Sequence, residues 1–265
     1  MTDPKPIYGA ILAAGYGSRM SPLTDVLPKP LLPFLNTPII AYTIDHLRKA
    51  GVKQIGVNLH HLGHMIPPVL EQLAQTWQLQ GHPMTFTTVH EPEIRGTAGG
   101  IAGIWDALGR PDGTLVVFNG DPVMNIPLAN AIAEHRTSGA EVTMVVRPVV
   151  EGHPAGVWVD PQGHVCRLRD VSLAEGGEER EFMGVHLLEP SALERIETAA
   201  RTATSTCMVA DVYLPMLREG LTIRTTLVDD FWVALDNPGL LLGATREVLE
   251  QPDRFDQAPL GPSLG

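Results

Sequence analysis

The sequence predicts an α/β fold in which a mostly parallel sheet carries helices on both faces. Three observations point to it. Apolar runs of strand length alternate with helix-length patterns through the first 150 residues. The strands are near-continuous apolar stretches, as a sheet covered on both sides requires. Polar, glycine-rich breaks fall at strand exits, where open α/β sheets bind their ligands.

The elements follow in order. "PIYGAILAA" (6–14) reads as the first buried strand. "NTPIIAYTIDHLRKAG" (36–51) reads as a helix, with Thr37 as its cap, Pro38 in its first turn and Gly51 at its end. A strand at 53–59 precedes a helix at 63–77, and a strand at 84–90 precedes a helix at 97–109. "TLVVFNGD" (114–121) is a strand with a polar exit, followed by a helix at 128–139 and a strand at 141–149. This βαβα order favours parallel pairing through right-handed crossovers. The second half is richer in strands, at 157–159, 165–169, 182–188 and 222–228, with helices near 190–199 and 209–219. "AEGGEERE" (174–181) reads as a polar loop, and the Pro/Gly-rich 251–265 as a disordered tail. With no repeat and no linker, the expectation is a single domain over 1–250, in which the half from 151 to 250 completes the pocket of the half from 1 to 150.

Composition narrows the function. A net charge of −11 argues against nucleic-acid or anionic-membrane binding, both of which need a basic surface. No apolar run reaches membrane-spanning length, and "MTDPKPIYGA" has no apolar core of a secretory leader. Cys166 and Cys207 are too few for a disulfide framework and read as free thiols. A cytoplasmic protein is expected. Its oligomeric state is open, a homo-oligomer included. His60, His61 and His64 follow a strand without a neighbouring acid or thiol, and read as loop histidines rather than a metal cluster.

The chemistry concentrates in "AAGYGSRMSPLTDVLPKPLLP" (13–33). Gly15 and Gly17 allow a sharp turn whose N–H groups can face an anion. Arg19 adds a planar fork for phosphate oxygens, and Lys29, between Pro28 and Pro30, adds a compact charge on a stiffened backbone. The loop lacks the spacing of a Walker A loop. Met20 stands where a dinucleotide-binding glycine motif would need its third glycine.

With the later segments "EPEIRGTAGGI" (91–101), "VVFNGD" (116–121), "FMGVHLLEP" (182–190) and "DVYLPMLREG" (211–220), this stretch resembles the sugar nucleotidylyltransferases. The resemblance is to short members that guanylylate mannose 1-phosphate or uridylylate muramate and hexose 1-phosphates. Cofactor-pathway cytidylyltransferases share a similar first loop but usually lack the P-L-T and P-K-P-L pieces.

The resemblance implies a Rossmann-like α/β/α sandwich of the nucleotide-diphospho-sugar transferase type, with 1–150 as the nucleotide-binding half and 151–250 as the sugar-binding half. It implies Mg²⁺-dependent transfer of a nucleoside monophosphate from an NTP to a sugar 1-phosphate, with release of pyrophosphate. Arg19, Lys29 and Asp121 would be the catalytic residues. Leu12, Ala13, Ala14, Gly15, Gly17, Ser18, Arg19, Glu91, Gly96, Thr97, Ala98, Asn119 and Gly120 would bind the nucleotide. Glu91 would read the base edge; an acceptor-only carboxylate favours guanine or uracil, which carry an imino N–H. Gly184 and Arg169 would face the sugar, and Asp121 and Asp236 the metal.

Two departures matter. The family's W-x-D-x-G-T-P segment reads "FWVALDNPG" (231–239) here, so the second metal carboxylate aligns with Ala234. Asp236 lies two residues on, about 6.6 Å along a strand, and reaches the site only if the backbone bulges. Asp229 and Asp230 are other candidates. Asp236 also reads as a helix cap ahead of Asn237-Pro238. The family's Glu-Lys pair is absent from "VCRLRDV" (165–171), where Arg169 is the nearest cation. These losses leave a second reading, a non-catalytic nucleotide-sugar-binding regulatory subunit.

Overall fold

The computed structural model describes residues 5–150, 156–169 and 171–256. In chain order the elements are β1 (Ile7–Leu12), β2 (Pro33–Phe34), β3 (Thr37–Pro38), α1 (Ile39–Lys49), β4 (Gln54–Leu59), α2 (Ile66–Leu79), β5 (Thr85–His90), α3 (Gly96–Ala107), β6 (Thr114–Asn119) and β7 (Pro122–Met124). They continue with α4 (Leu128–Ser138), β8 (Val142–Pro148), β9 (Gly156–Val159), β10 (Val165–Leu168), β11 (Val171–Ser172), β12 (Glu178–Leu188) and α5 (Pro190–Ala200). After a π-helical turn at Met208–Tyr213 come α6 (Leu214–Arg218), β13 (Arg224–Leu227), β14 (Trp232–Ala234) and α7 (Pro238–Glu250).

A ten-stranded sheet runs in the order β11-β10-β9-β12-β6-β1-β4-β5, with β8 on β12 and β13 on β8. Strands β5, β4, β1 and β6 are parallel. Strand β12 runs antiparallel to β6 and joins the two halves of the chain, with Val185 opposite Phe118. Alternation along β1 and β6 splits their side chains between two cores. Ala10, Leu115 and Val117 pack under α3 and α5. Ile11, Val116 and Phe118 pack under α1, α2 and α4. This is the sandwich expected from the apolar runs.

A third core lies outside the sandwich and builds the site. Met20, Phe34, Tyr42, Val123, Phe231, Leu235, Val248 and Phe255 share it. The methionine that replaces a third glycine is fully buried here and anchors the first loop.

Several expectations change. Thr37 lies in β3 and caps nothing; Pro38 is the α1 N-cap residue, with no side-chain hydrogen bond. The polar loop at 174–181 ends early, because β12 begins at Glu178. Residues 251–256 are ordered rather than part of a loose tail: Pro252–Arg254 form a 3-10 turn and Phe255 is buried against Phe34, Tyr42 and Phe231. The remainder of that tail lies outside the described residues. Among the described residues no helix is long and apolar enough to cross a membrane.

Candidate active site

The parallel strands deliver their carboxyl ends to one cleft of about 440 Å³. Leu12, Ala13 and Ala14 leave β1 along its floor, and Gly15, Gly17, Ser18 and Arg19 turn over it. Gly17 holds φ at +64°, and an added Cβ would sit 2.9 Å from Thr24 Cγ2 and 3.1 Å from Lys29 Cβ. Only glycine lets this turn close onto the segment that carries the lysine. At the β6 exit, Asn119, Gly120 and Asp121 form the opposite lip. Gly120 has no room for a side chain, since its Cβ would lie 2.4 Å from Leu12 O.

Lys29 starts a 3-10 turn and is nearly buried at its side chain. Its Nζ donates to Asp121 Oδ2 at 2.9 Å and to Asp236 Oδ1 at 2.8 Å. Asp236 also meets Arg19 Nη1 at 3.0 Å. The Arg19 side chain is 73% exposed, so that contact is weak and the guanidinium is free to exchange carboxylate for phosphate. Burial pushes the Asp236 carboxyl up, but the Lys29 hydrogen bond and the charges of Lys29 and Arg19 outweigh it and hold the group below its usual value.

Asp236 reaches this place by the bend the sequence required. Strand β14 pairs with β7, Ala234 opposite Pro122, and stops. Leu235 N donates to Asp121 O at 3.2 Å, and Asp236 N donates back to Ala234 O at 2.8 Å. This tight turn points Leu235 into the third core and Asp236 into the cleft. The helix cap falls to Asn237, whose Oδ1 accepts from Leu240 N, so Asp236 is not the cap. Asp230 instead accepts from Asn125 Nδ2, and neither Asp229 nor Asp230 lines the cleft.

The donor set fits a hard divalent cation. Two carboxylates already converge on one cationic centre, and such a cation needs few protein oxygens when phosphate and water complete its shell. Among the described residues, no cluster of three or more His, Cys, Asp or Glu side chains is suited to hold a metal.

Glu91 is 2% exposed, not a solvated acid. Its Oε1 accepts from Asn58 Nδ2 and its Oε2 from Arg95 N, both at 2.9 Å. Asn58 Oδ1 in turn accepts from Ala13 N at 2.7 Å. The carboxylate therefore ties the β1, β4 and β5 exits together beside the cleft. Asn58 was missed in the sequence; its signal was an amide at a strand end otherwise filled by apolar residues.

Gly96 and Thr97 line the cleft at the start of α3. Ala98 does not: it is fully buried, and its N–H donates to Thr206 O at 3.0 Å. Gly184, at φ +84°, lies behind the cleft wall, its Cβ position 3.2 Å from Asn119. Arg169 is not brought to the cleft. It turns the β10–β11 hairpin at φ +51°, toward the far edge of the sheet, and is exposed. Tyr16, Pro30 and Ile94 line the cleft without having been singled out.

A second cavity of about 480 Å³ adjoins the first and shares Asp236. Arg147 and Glu181 face each other there from β8 and β12, paired at 2.6 Å, and the Arg147 guanidinium lies 4.3 Å from the centre of the Trp232 ring.

A sequence model described as nucleotidyl transferase matches residues 8–250, and the chain belongs to that family. Its curated relatives include sugar-1-phosphate nucleotidyltransferases. It is 34% identical to a mannose-1-phosphate guanyltransferase of Schizosaccharomyces pombe over 71% of this chain and 51% of that one. The match to the mannose-1-phosphate guanyltransferase of Hypocrea jecorina is 31% identical over 89% and 63%. A UTP–glucose-1-phosphate uridylyltransferase of Synechocystis matches at 26% over 94% and 65%. The chain thus spans about half to two thirds of the length of these relatives. The fold is also that of a crystal structure described as a glucose-1-phosphate thymidylyltransferase from Bacillus anthracis, with a TM-score of 0.76 and 19% identity over 97% of this chain and 98% of that one.

Proposed function

We propose that this chain transfers a nucleoside monophosphate from an NTP to a sugar 1-phosphate and releases pyrophosphate. The observation that carries the reading is the Lys29 ammonium held between Asp121 and Asp236 beneath a glycine-rich loop. A phosphate oxygen of the sugar attacks the α-phosphorus, a P–O bond forms, and the bond to the β-phosphate breaks. Two anions must approach, so catalysis is mainly positioning and charge neutralisation. The turn at Gly15–Arg19 would hold the triphosphate, with Arg19 on the leaving phosphates. Lys29 would lie against the reacting phosphates and offset their repulsion. Asp121 and Asp236 would hold Mg²⁺. When bound, that ion supplies further charge neutralisation at phosphate oxygens.

The cavity beside Asp236 suits the sugar 1-phosphate, since it opens onto the same carboxylate and offers Arg147 as a cation and Glu181 as an acceptor. GTP with mannose 1-phosphate is the first pair to test, because the guanyltransferase relatives are similar along most of the chain. UTP with a hexose or amino-sugar 1-phosphate is next.

Pyrophosphate release should be measured with each NTP, Mg²⁺ and a panel of sugar 1-phosphates. Release that needs both substrates, and is lost in Asp121→Ala, supports the transferase. Tight NTP binding with no release across the panel would favour the regulatory subunit.

A further inference from the structure

Tyr16 stands between the two glycines of the first loop, lines the cleft, and is 56% exposed. An open aromatic ring is unremarkable on a surface, but this one is held in place. Its hydroxyl is 3.1 Å from His60 Nε2. The two rings meet edge to face, with centroids 5.2 Å apart at 86°. The His61 ring lies 5.8 Å away on the same side chain.

The hydrogen bonds fix the direction of this network. His60 Nδ1 is 2.7 Å from Glu91 O, which can only accept, so Nδ1 carries the proton. In the neutral ring Nε2 then accepts from the Tyr16 hydroxyl. His61 Nε2 donates to Thr24 O at 2.7 Å, and the Thr24 hydroxyl donates to Gly17 O at 2.9 Å. Tyr16 is thereby braced against both the Glu91 wall and the loop that bears it. Fixing a side chain that stays more than half exposed costs rotamer entropy. Such an ordered, open ring is pre-organised for a ligand.

The place of the ring selects that ligand. Lys29, Asp121 and Asp236 gather the charge at one part of the cleft. The His60 bond instead links Tyr16 to the main chain of Glu91, whose side chain, bonded to Asn58, lines the cleft away from that charge pair's bonds. A flat ring there matches a flat heterocycle better than a phosphate or a polyol.

We propose that Tyr16 is the stacking wall for the nucleobase of the NTP, and that His60 is the residue that positions it. This rests on reading the cleft as a nucleotide site. The test is calorimetric titration, in Mg²⁺, of GTP, UTP and tripolyphosphate, which has no base. It uses wild-type protein, Tyr16→Ala, Tyr16→Phe, His60→Ala and the double variant Tyr16→Ala/His60→Ala. Base–aromatic stacking predicts a roughly 5- to 150-fold loss of GTP affinity in Tyr16→Ala. Tripolyphosphate affinity should stay within about twofold, Tyr16→Phe should keep most GTP binding, and His60→Ala should add nothing once Tyr16 is gone. Equal losses for GTP and tripolyphosphate would show a loop brace only and overturn the proposal, as would unchanged GTP binding in Tyr16→Ala. Wild-type protein that binds tripolyphosphate but neither nucleotide would also sink it. Wild-type protein that binds none of the three would remove the nucleotide reading itself, and this proposal with it.

Discussion

One ammonium, Lys29 Nζ, joins Asp121 and Asp236 at 2.9 and 2.8 Å, although the two carboxylates leave different strand ends. The ammonium between them offsets the repulsion of two carboxylates brought this close. Asp121→Ala and Asp236→Asn should each lower pyrophosphate release by more than about a hundredfold at saturating NTP, on the scale of lost electrostatic groups. Both should raise the Mg²⁺ concentration needed for half-maximal rate. An Asp236→Asn protein with normal rate and normal Mg²⁺ dependence would remove Asp236 from the site.

The Gly17 turn gives a second expectation. Gly17→Ala puts a side chain at positive φ, costing about 1–2 kcal/mol, and drives its Cβ against Thr24 and Lys29. Gly51→Ala meets a positive φ as well, but nothing lies within 4 Å of its Cβ. Urea denaturation should therefore show the larger loss for Gly17→Ala, and only that variant should weaken NTP binding. Equal losses with intact binding would mean that the loop gives way freely.

Glu91 accepts from Asn58 and from Arg95 N in a buried place. Glu91→Ala leaves both donors unpaired and should cost about 2–4 kcal/mol of stability. Because both oxygens already serve the protein, Glu91→Gln should weaken GTP and UTP together rather than exchange one for the other. A clean reversal of base preference would make Glu91 the direct reader of the base edge.

Acid should destabilise the fold well before its carboxylates titrate. Burial holds His46 down to about 4 and His186 down to about 3, against about 6.5 in an unfolded chain. Below pH 6.5 the unfolded chain takes up protons that the native imidazoles refuse, so stability falls with pH and levels off only through the folded values. Between pH 7 and pH 5 the pair should lose about 4 kcal/mol in equilibrium denaturation. His46→Gln and His186→Gln should each flatten that slope, and an unchanged slope in both would refute the assignment.

The local signals in the sequence were strong where one element decides its own form. The β1, β4 and β6 runs and the amphipathic helices follow from apolar spacing, and the first loop follows from its glycines and cations. What was hidden depends on partners distant in the chain. Strands β7 and β14 have three residues each and exist only because they pair with one another. The turn that redirects Asp236 depends on that pairing, so the sequence offered only the misalignment at Ala234. Arg169 looked available because a linear motif does not say which hairpin end faces the ligand. The order at 251–256 had one signal, a lone Phe255 in a polar stretch, whose burial needed the third core to be known.

The two-stranded ribbon of β7 and β14 has a consequence for how the protein is made. Asp121 emerges from the ribosome with the first half of the chain, just past the end of β6. Asp236 follows only after β13 and the π-helical turn, two residues beyond the end of β14. A nascent chain thus carries its glycine loop, its floor and its lysine before the second carboxylate of the charge pair is made. The charge pair is complete only once residue 236 has been made, and any chain cut short of it lacks the second acid.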